Sequence, residues 1–279
     1  MLSFQGGVGN QLFQWALMHA LTAEGRLVLA DRSRCRGDRP FVVAPLVSPD
    51  HLLGRSTGLA LVALERAGRL RTAGFVPVDE PGFGYHSEFV RQLPRRAYLR
   101  GYFQSPQYFA GHEDMVRTRV RALLDSQLST HGAELAADLA ADPHSVSLHI
   151  RRGDYLSDPA AAVKHGVLPL DYYRSALESM DRLGHTRRIW FSDDLDWVRD
   201  RVARPGDLLC HPDHTLTAAG EIALMASCRN HVIANSSFSW WGAWLGRPAD
   251  PRHPVIAPAR WFSESADTQA LIPQTWQQL

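Results

Sequence analysis

The stretch "SVSLHIRRGDYLSDP", residues 145–159, decides how the rest of the chain is read. Val146, Leu148 and Ile150 alternate with Ser147, His149 and Arg151, the period of a strand with two different faces. His149 and Arg151 therefore share a face, and Arg152 is sent to the other. Gly153 supplies a turn, and Asp154 follows within reach of both arginines. Two readings stand at this point. The strand end is closed by a surface Arg-Asp pair, or a guanidinium is held ready for an anion.

Working outward, the second half of the chain alternates strand and helix. After "SVSLHI" the spacing predicts a helix over about 171–183, then strand "RIWFS", helix "LDWVRDRV", helix "TAAGEIALMASCRN", strand "HVIAN", helix "FSWWGAWLG" and a last strand in "HPVIAP". Strands separated by helices imply parallel pairing in a doubly wound α/β sheet. Ligands of such sheets bind beyond the carboxyl ends of the strands, and His149 and Arg151 sit at one such end. The first half opens "MLSFQGGVGNQLFQWALMHALTAEG", a short strand, a glycine loop and a helix over about 11–23 with a buried stripe through Leu12, Trp15, Ala16 and His19. "RLVLAD" reads as a second strand, and "RAYLRGYFQSPQYF" as another that ends in an aromatic, glutamine-rich loop. Residues 111–141 read as one helical segment, and residues 32–95, rich in Arg, Pro and Gly, show no clear period. The resulting division is an N-terminal α/β domain over 1–141 and a C-terminal one over 142–279.

Composition narrows the partners. The 279 residues are 45% hydrophobic and 21% charged with a formal net charge of +1, so no global field draws the chain to nucleic acid and any anion site must be local. Of its 30 basic residues only Lys164 is lysine. Cys35, Cys210 and Cys228 are odd in number and lack metal-type spacing, which fits a reducing compartment. No window approaches the length of apolar chain that spans a bilayer. A cytoplasmic protein is expected, with peripheral contact at the inner face of the membrane left open.

Three further motifs carry chemistry. "GGVGNQLF" places Gly6, Gly7 and Gly9 between a strand and a helix; it is either a tight turn or a loop whose backbone at Gly7 and Gly9 approaches a ligand, with the amides of Asn10 and Gln11 at the helix start. "HVIANSSFSWWGAWLG" runs a buried strand into Ser236, Ser237 and Ser239 at a helix start. This is N-cap chemistry, and with Phe238 it is also the geometry of an anion site. Trp240, Trp241 and Trp244 read as packing, and the Asn235-Ser236-Ser237 sequon carries no meaning in a cytoplasmic protein. Asp194-Leu195-Asp196 has the D-x-D pattern of metal-binding sugar-nucleotide enzymes, but in a first helical turn its carboxylates diverge, so capping by Ser192 and Asp193 is the preferred reading. Glu221, at the start of its helix, is placed either as an ordinary N-terminal acid or to accept from N1-H and the 2-amino group of guanine.

The blocks "GGVGNQLFQWA", "GYFQSPQYF", "HIRRGDY", "FSDDLDWV" and "LMASCRNHVIANSSFSWWGAWL", in that order, resemble the bacterial α-1,2-fucosyltransferases of glycosyltransferase family 11, over about residues 6–262. The arginine motif is also similar to one in α-1,6- and protein O-fucosyltransferases, so it marks the donor more than the acceptor. The resemblance implies a GT-B type glycosyltransferase, two Rossmann-like domains facing a cleft, with GDP-fucose held mainly by the second. It implies that Arg151 contacts the diphosphate, that His149 lies beside it, and that Ser236, Ser237, Phe238 and Ser239 meet the nucleotide; from the glycine loop itself, Gly7, Gly9 and Asn10 are expected on the donor as well. Family members usually carry Asp where Glu221 stands.

The implied reaction is inverting transfer of L-fucose from GDP-β-L-fucose to the 2-hydroxyl of a terminal β-galactoside in an oligosaccharide or lipid-linked glycan. Arg151 stabilises charge on the departing phosphate, no metal or other cofactor is needed, and Asp154 is the candidate base within the motif. Tyr102, Phe103 and Tyr108 are expected to pack on a galactose ring while Gln104 bonds its hydroxyls. Competing expectations are a fucosyltransferase of α-1,6 or α-1,3 linkage and a non-catalytic nucleotide-binding module.

Overall fold

The computed structural model describes residues 1–152, 166–246, 252–262 and 270–279. The chain divides into two compact units, Met1–Leu123 with Gln269–Leu271, and Leu124–Thr268 with Ile272–Leu279.

The first unit runs β1 (Leu2–Ser3), α1 (Val8–Ala23), β2 (Ala30–Asp31), α2 (Arg55–Arg66), β3 (Val76–Asp79), α3 (Ser87–Arg91), β4 (Ala97–Arg100) and α4 (Glu113–Asp125), whose last residues fall in the second unit. Its strands form one parallel sheet in the order β2-β1-β4-β3. The helix expected from residue 11 begins three residues earlier, with Gly7 at its N-cap. It is buried nearly all round rather than along a stripe, because Gln11 and Gln14 serve as interior hydrogen-bonding groups. Of "RLVLAD" only Ala30 and Asp31 pair as strand. The segment 32–95 holds α2, β3 and α3, short elements between turns that carry no long period.

The second unit runs α5 (Thr130–Ala141), β5 (Ser145–Ile150), α6 (Leu170–Arg182), β6 (Arg187–Ser192), α7 (Leu195–Arg201), β7 (Leu208–Leu209), α8 (Ala218–Ser227), β8 (Asn230–Val232), α9 (Ser237–Leu245), β9 (Val255–Ala257) and β10 (Gln277–Gln278). The parallel sheet has the order β10-β9-β8-β5-β6-β7. Residues 111–141 are two helices, not one. Leu128 bridges to Thr215, and Ser129 accepts from the Gly132 N-H to cap α5. Gly132 lies so close to the His214 carbonyl that a Cβ there would overlap it. Ala136 and Leu139 of α5 pack with Leu224 and Met225 of α8. Contact with α8 thus moves the division from Ala141/Asp142, as read from sequence, to Leu123/Leu124.

β5 is buried on both sides. Val146, Leu148 and Ile150 pack with Tyr172, Tyr173, Leu177 and Met180 of α6 on one side. On the other, Ile189 and Phe191 of β6 meet α5 and α8. The polar positions of β5 are interior as well; Ser147 Oγ lies 2.8 Å from His231 Nδ1.

Candidate active site

In each sheet the chain builds outward in one direction and then returns to build in the other, and the gap between the two halves is where open α/β sheets bind ligands. In the second unit that point lies between β5 and β8, with β6 on the other flank of β5. Arg151 and Arg152 leave β5 there. Arg151 Nε stands 3.3 Å from an Asp193 carboxylate oxygen. The other oxygen of Asp193 accepts from the Arg152 N-H at 2.9 Å. The Arg152 guanidinium lies over the Trp197 ring at 3.8 Å, with its Nε 3.7 Å from Asp194. Among the described residues, the two carboxylates that follow β6 face the arginines. Gly153 and Asp154 lie outside the described residues.

His149 is buried on the same side as Phe191, its partner in the β5-β6 register, and its ring centroid is 5.6 Å from that of Phe238. Burial, reinforced by Arg151, pushes its pKa down to about 3, so the ring is neutral and contributes polarity rather than charge. Its Nδ1 is buried with no hydrogen-bond partner among the described residues. An unsatisfied buried nitrogen beside an arginine at a strand end is costly unless a ligand meets it.

Glu221, in the first turn of α8, joins the group electrostatically. Burial raises its pKa to about 7, Arg151 opposes the rise and Asp193 adds to it. The α9 start completes the site. Ser236 is the N-cap and accepts from the Phe238 N-H at 3.3 Å. Ser239 is buried and turned back to the Ala234 carbonyl, which makes it structural. Ser237 and Phe238 are half-exposed at the helix start. Trp240, Trp241 and Trp244 are core, and Asn235 is interior, donating to Trp261 O at 3.2 Å.

The D-x-D carboxylates diverge as expected. Asp194 caps α7, accepting from the Trp197 N-H at 3.1 Å, and Ser192 Oγ accepts from the Asp194 N-H at 3.0 Å. Asp193 caps nothing and serves the arginines instead. Asp196 pairs with Arg199 at 2.6 Å on the surface. Among the described residues the group with metal-type closeness is His131, Asp213 and His214, and His214 Nδ1 there already accepts from the His211 N-H.

The first unit has its own switch point between β1 and β4, and two loops meet there. Gly6, with φ +81°, makes the turn after β1; a Cβ on it would lie 2.6 Å from Asn10 Nδ2. Gly7 is exposed with open space around it, and Gly9 is buried inside α1. Gln104 Nε2 donates to Asn10 Oδ1 at 2.6 Å, joining a residue read as donor-binding to one read as acceptor-binding. Phe103 and Tyr108 are interior, with the Tyr108 hydroxyl accepting from the His86 N-H at 3.3 Å, so neither ring is placed to receive a sugar. Tyr102 and Gln104 remain half-exposed. What holds their loop is Glu80, whose Oε2 accepts from the Tyr102 and Phe103 N-H groups at 2.8 and 3.0 Å. Phe103 takes φ +54°, a left-handed conformation that this clamp maintains. Glu80 escaped the sequence reading because it lies in the segment without a period. Its only signal was an acid directly after a strand.

An O-antigen biosynthesis glycosyltransferase of Escherichia coli, WbnK, is 29% identical over 289 residues, covering 92% of this chain and 93% of that protein. An α-1,2-colitosyltransferase of Escherichia coli is 32% identical over 63% of this chain, a match that spans 60% of that relative's length. Galactoside alpha-(1,2)-fucosyltransferase 1 of Saimiri sciureus is 29% identical over 36% of this chain and 28% of its own. The model of glycosyl transferase family 11 matches residues 85–265, well over half of the sequence and inclusive of Arg151, Asp193, Glu221 and the α9 start, and the chain belongs to that family of nucleotide-sugar-dependent enzymes.

Proposed function

We propose that the protein transfers L-fucose from GDP-β-L-fucose to the 2-hydroxyl of a terminal β-galactoside, with inversion and without a metal. The observation that carries this reading is Arg151 at the switch point of the second sheet, beside a buried neutral His149 whose Nδ1 has no hydrogen-bond partner among the described residues. As the bond to the anomeric carbon breaks, negative charge gathers on the β-phosphate oxygens. A planar guanidinium and the N-H groups of the α9 start stabilise that charge more than they stabilise the ground state. The sugar becomes oxocarbenium-like and the acceptor hydroxyl attacks its opposite face. Asp193 pairs with Arg151 and keeps the guanidinium oriented; the pair is partly exposed, so exchanging it for a diphosphate costs little. Glu221 is assigned to the guanine edge and Tyr102 with Gln104 to the acceptor.

The test is incubation with GDP-fucose and a β-galactoside, with the product linkage read by NMR. An α-1,2 product supports the reading. An α-1,6 or α-1,3 product replaces its linkage, and GDP binding without any fucose release reduces the chain to a nucleotide-binding module. Transfer of a colitosyl group in place of fucosyl is a second reading, favoured by the 32% identity to the α-1,2-colitosyltransferase. Competition between the two donors for one acceptor decides between them.

A further inference from the structure

The geometry points to a membrane-docking edge on the first unit, formed by the amino ends of β2, β4 and β3 and fitted to a bilayer rich in anionic phospholipid. Arg66 ends α2, and Arg69 and Arg71 lie in the turn that leads to β3. Arg95 and Arg96 lead into β4; the Arg96 carbonyl accepts from the Val76 N-H at 2.8 Å, which sets the two approaches side by side. All five side chains belong to exposed residues, and none has a carboxylate partner among the described residues. The segments 66–75 and 91–96 contain no acidic residue at all. Arg26 Nη2 donates to Val90 O at 3.4 Å, bringing the approach to β2 to the same edge, and the next residue, Leu27, is 77% exposed.

With a chain net charge of only +1, this concentration of arginines leaves the remainder acidic, so the attraction is directional rather than global. An exposed apolar side chain, Leu27, at the same end of the sheet as the arginines distinguishes a lipid surface from a nucleic acid. Leucine can enter the headgroup layer while guanidinium groups meet phosphates. No helix among the described residues is long and apolar enough to cross a membrane, so docking here would be peripheral. The edge is also opposite the strand ends that carry Asn10, Glu80 and Gln104, which leaves those ends clear. The inference is independent of the sugar and linkage proposed above.

The experiment is co-sedimentation of the full chain with vesicles of phosphatidylcholine alone and of phosphatidylcholine with about one third phosphatidylglycerol. Binding only to the anionic vesicles, lost at high salt, is expected for the wild-type protein. The triple variant Arg66→Glu, Arg69→Glu, Arg71→Glu should bind at least about 100-fold more weakly, near fivefold for each arginine lost, with turnover on a soluble acceptor unchanged. Leu27→Ser should weaken binding without altering its salt dependence. A control triple, Arg174→Glu, Arg199→Glu, Arg201→Glu, should bind as wild type. Equal binding to neutral vesicles, equal losses in the two triples, or retention on duplex DNA without vesicle binding would overturn the assignment, and the last would transfer the edge to a nucleic acid. The salt dependence of the unmodified protein keeps the test decisive if a variant fails to fold.

Discussion

At neutral pH the Glu221 carboxyl is balanced between its two forms, and that balance can be measured. Burial moves its pKa from 4.5 to about 7 against the pull of Arg151. The shift, 7 − 4.5 = 2.5, corresponds to about 3 kcal/mol of differential stability between the protonated and ionised folded states. Since the folded pKa is raised, the folded state binds the proton more tightly than the unfolded chain. The contribution of protonated Glu221 is fully present below about pH 4.5 and is lost as pH rises through about 7. Glu221→Gln is neutral at every pH. It should match the wild type near pH 4.5 and exceed it by about 1–3 kcal/mol above pH 7, the lower figure allowing for partial exposure of the side chain.

Urea denaturation of both proteins across that range, followed by tryptophan fluorescence, gives the difference directly. A guanine that bonds both N-H groups to Glu221 requires the ionised form, so GDP affinity should climb about tenfold per pH unit up to neutrality and then level. Inosine diphosphate has the same phosphates but no 2-amino group, and its affinity should climb less. A stability difference that stays flat with pH would refute the buried-carboxyl argument. GDP and inosine diphosphate curves of identical slope would separate Glu221 from the base.

Arg151→Lys keeps the charge but loses the planar fork, and kcat should fall about 100-fold or more with melting little changed; near-normal kcat would remove Arg151 from the phosphate. Arg152→Lys loses its stacking on Trp197, so it should give up about 1 kcal/mol of stability and retain most turnover, which kinetics and melting of both variants compare. Turnover should persist in excess EDTA, because Asp194 and Asp196 are engaged with separate partners; loss of activity restored by manganese or magnesium would revive the metal reading. Gln104→Ala removes the bond to Asn10 and should raise the acceptor KM more than the GDP-fucose KM; a rise confined to the donor would assign the loop to the nucleotide.

The second unit was the more legible half because its elements are long enough to show their period. β5, α6, β6 and α9 fall within a residue or two of their expected bounds. The candidate residues that sequence offered and the structure gathers at one switch point were those at strand ends and helix starts, namely Arg151, His149, Glu221 and Phe238. What sequence could not give was partnership. Asp154, the nearest acid in the chain, lies outside the described residues; among those described, Asp193, 42 positions beyond Arg151, is a carboxylate that meets both arginines, since β6 pairs in parallel with β5 and ends beside it. In the first unit, strands of two to four residues leave no alternation to detect. The aromatic loop misled for a related reason: "GYFQSPQYF" reads as a sugar platform, yet the Glu80 clamp turns Phe103 inward.

The two switch points also differ in kind. The one in the second unit is electrostatic: an arginine pair balanced by Asp193 and Asp194, a neutral imidazole, and a carboxyl near its midpoint, all groups whose state a charged ligand would change. At the one in the first unit neutral amides and backbone groups are prominent, with Asn10 bonded to Gln104 and Gln14 to the Gly101 carbonyl, while Glu80 spends one oxygen holding a loop. A nucleoside diphosphate needs the first kind of surface and a neutral sugar the second. Substitutions in the second unit should therefore act through salt and pH, whereas those in the first should act through hydroxyl geometry and leave the pH profile unmoved.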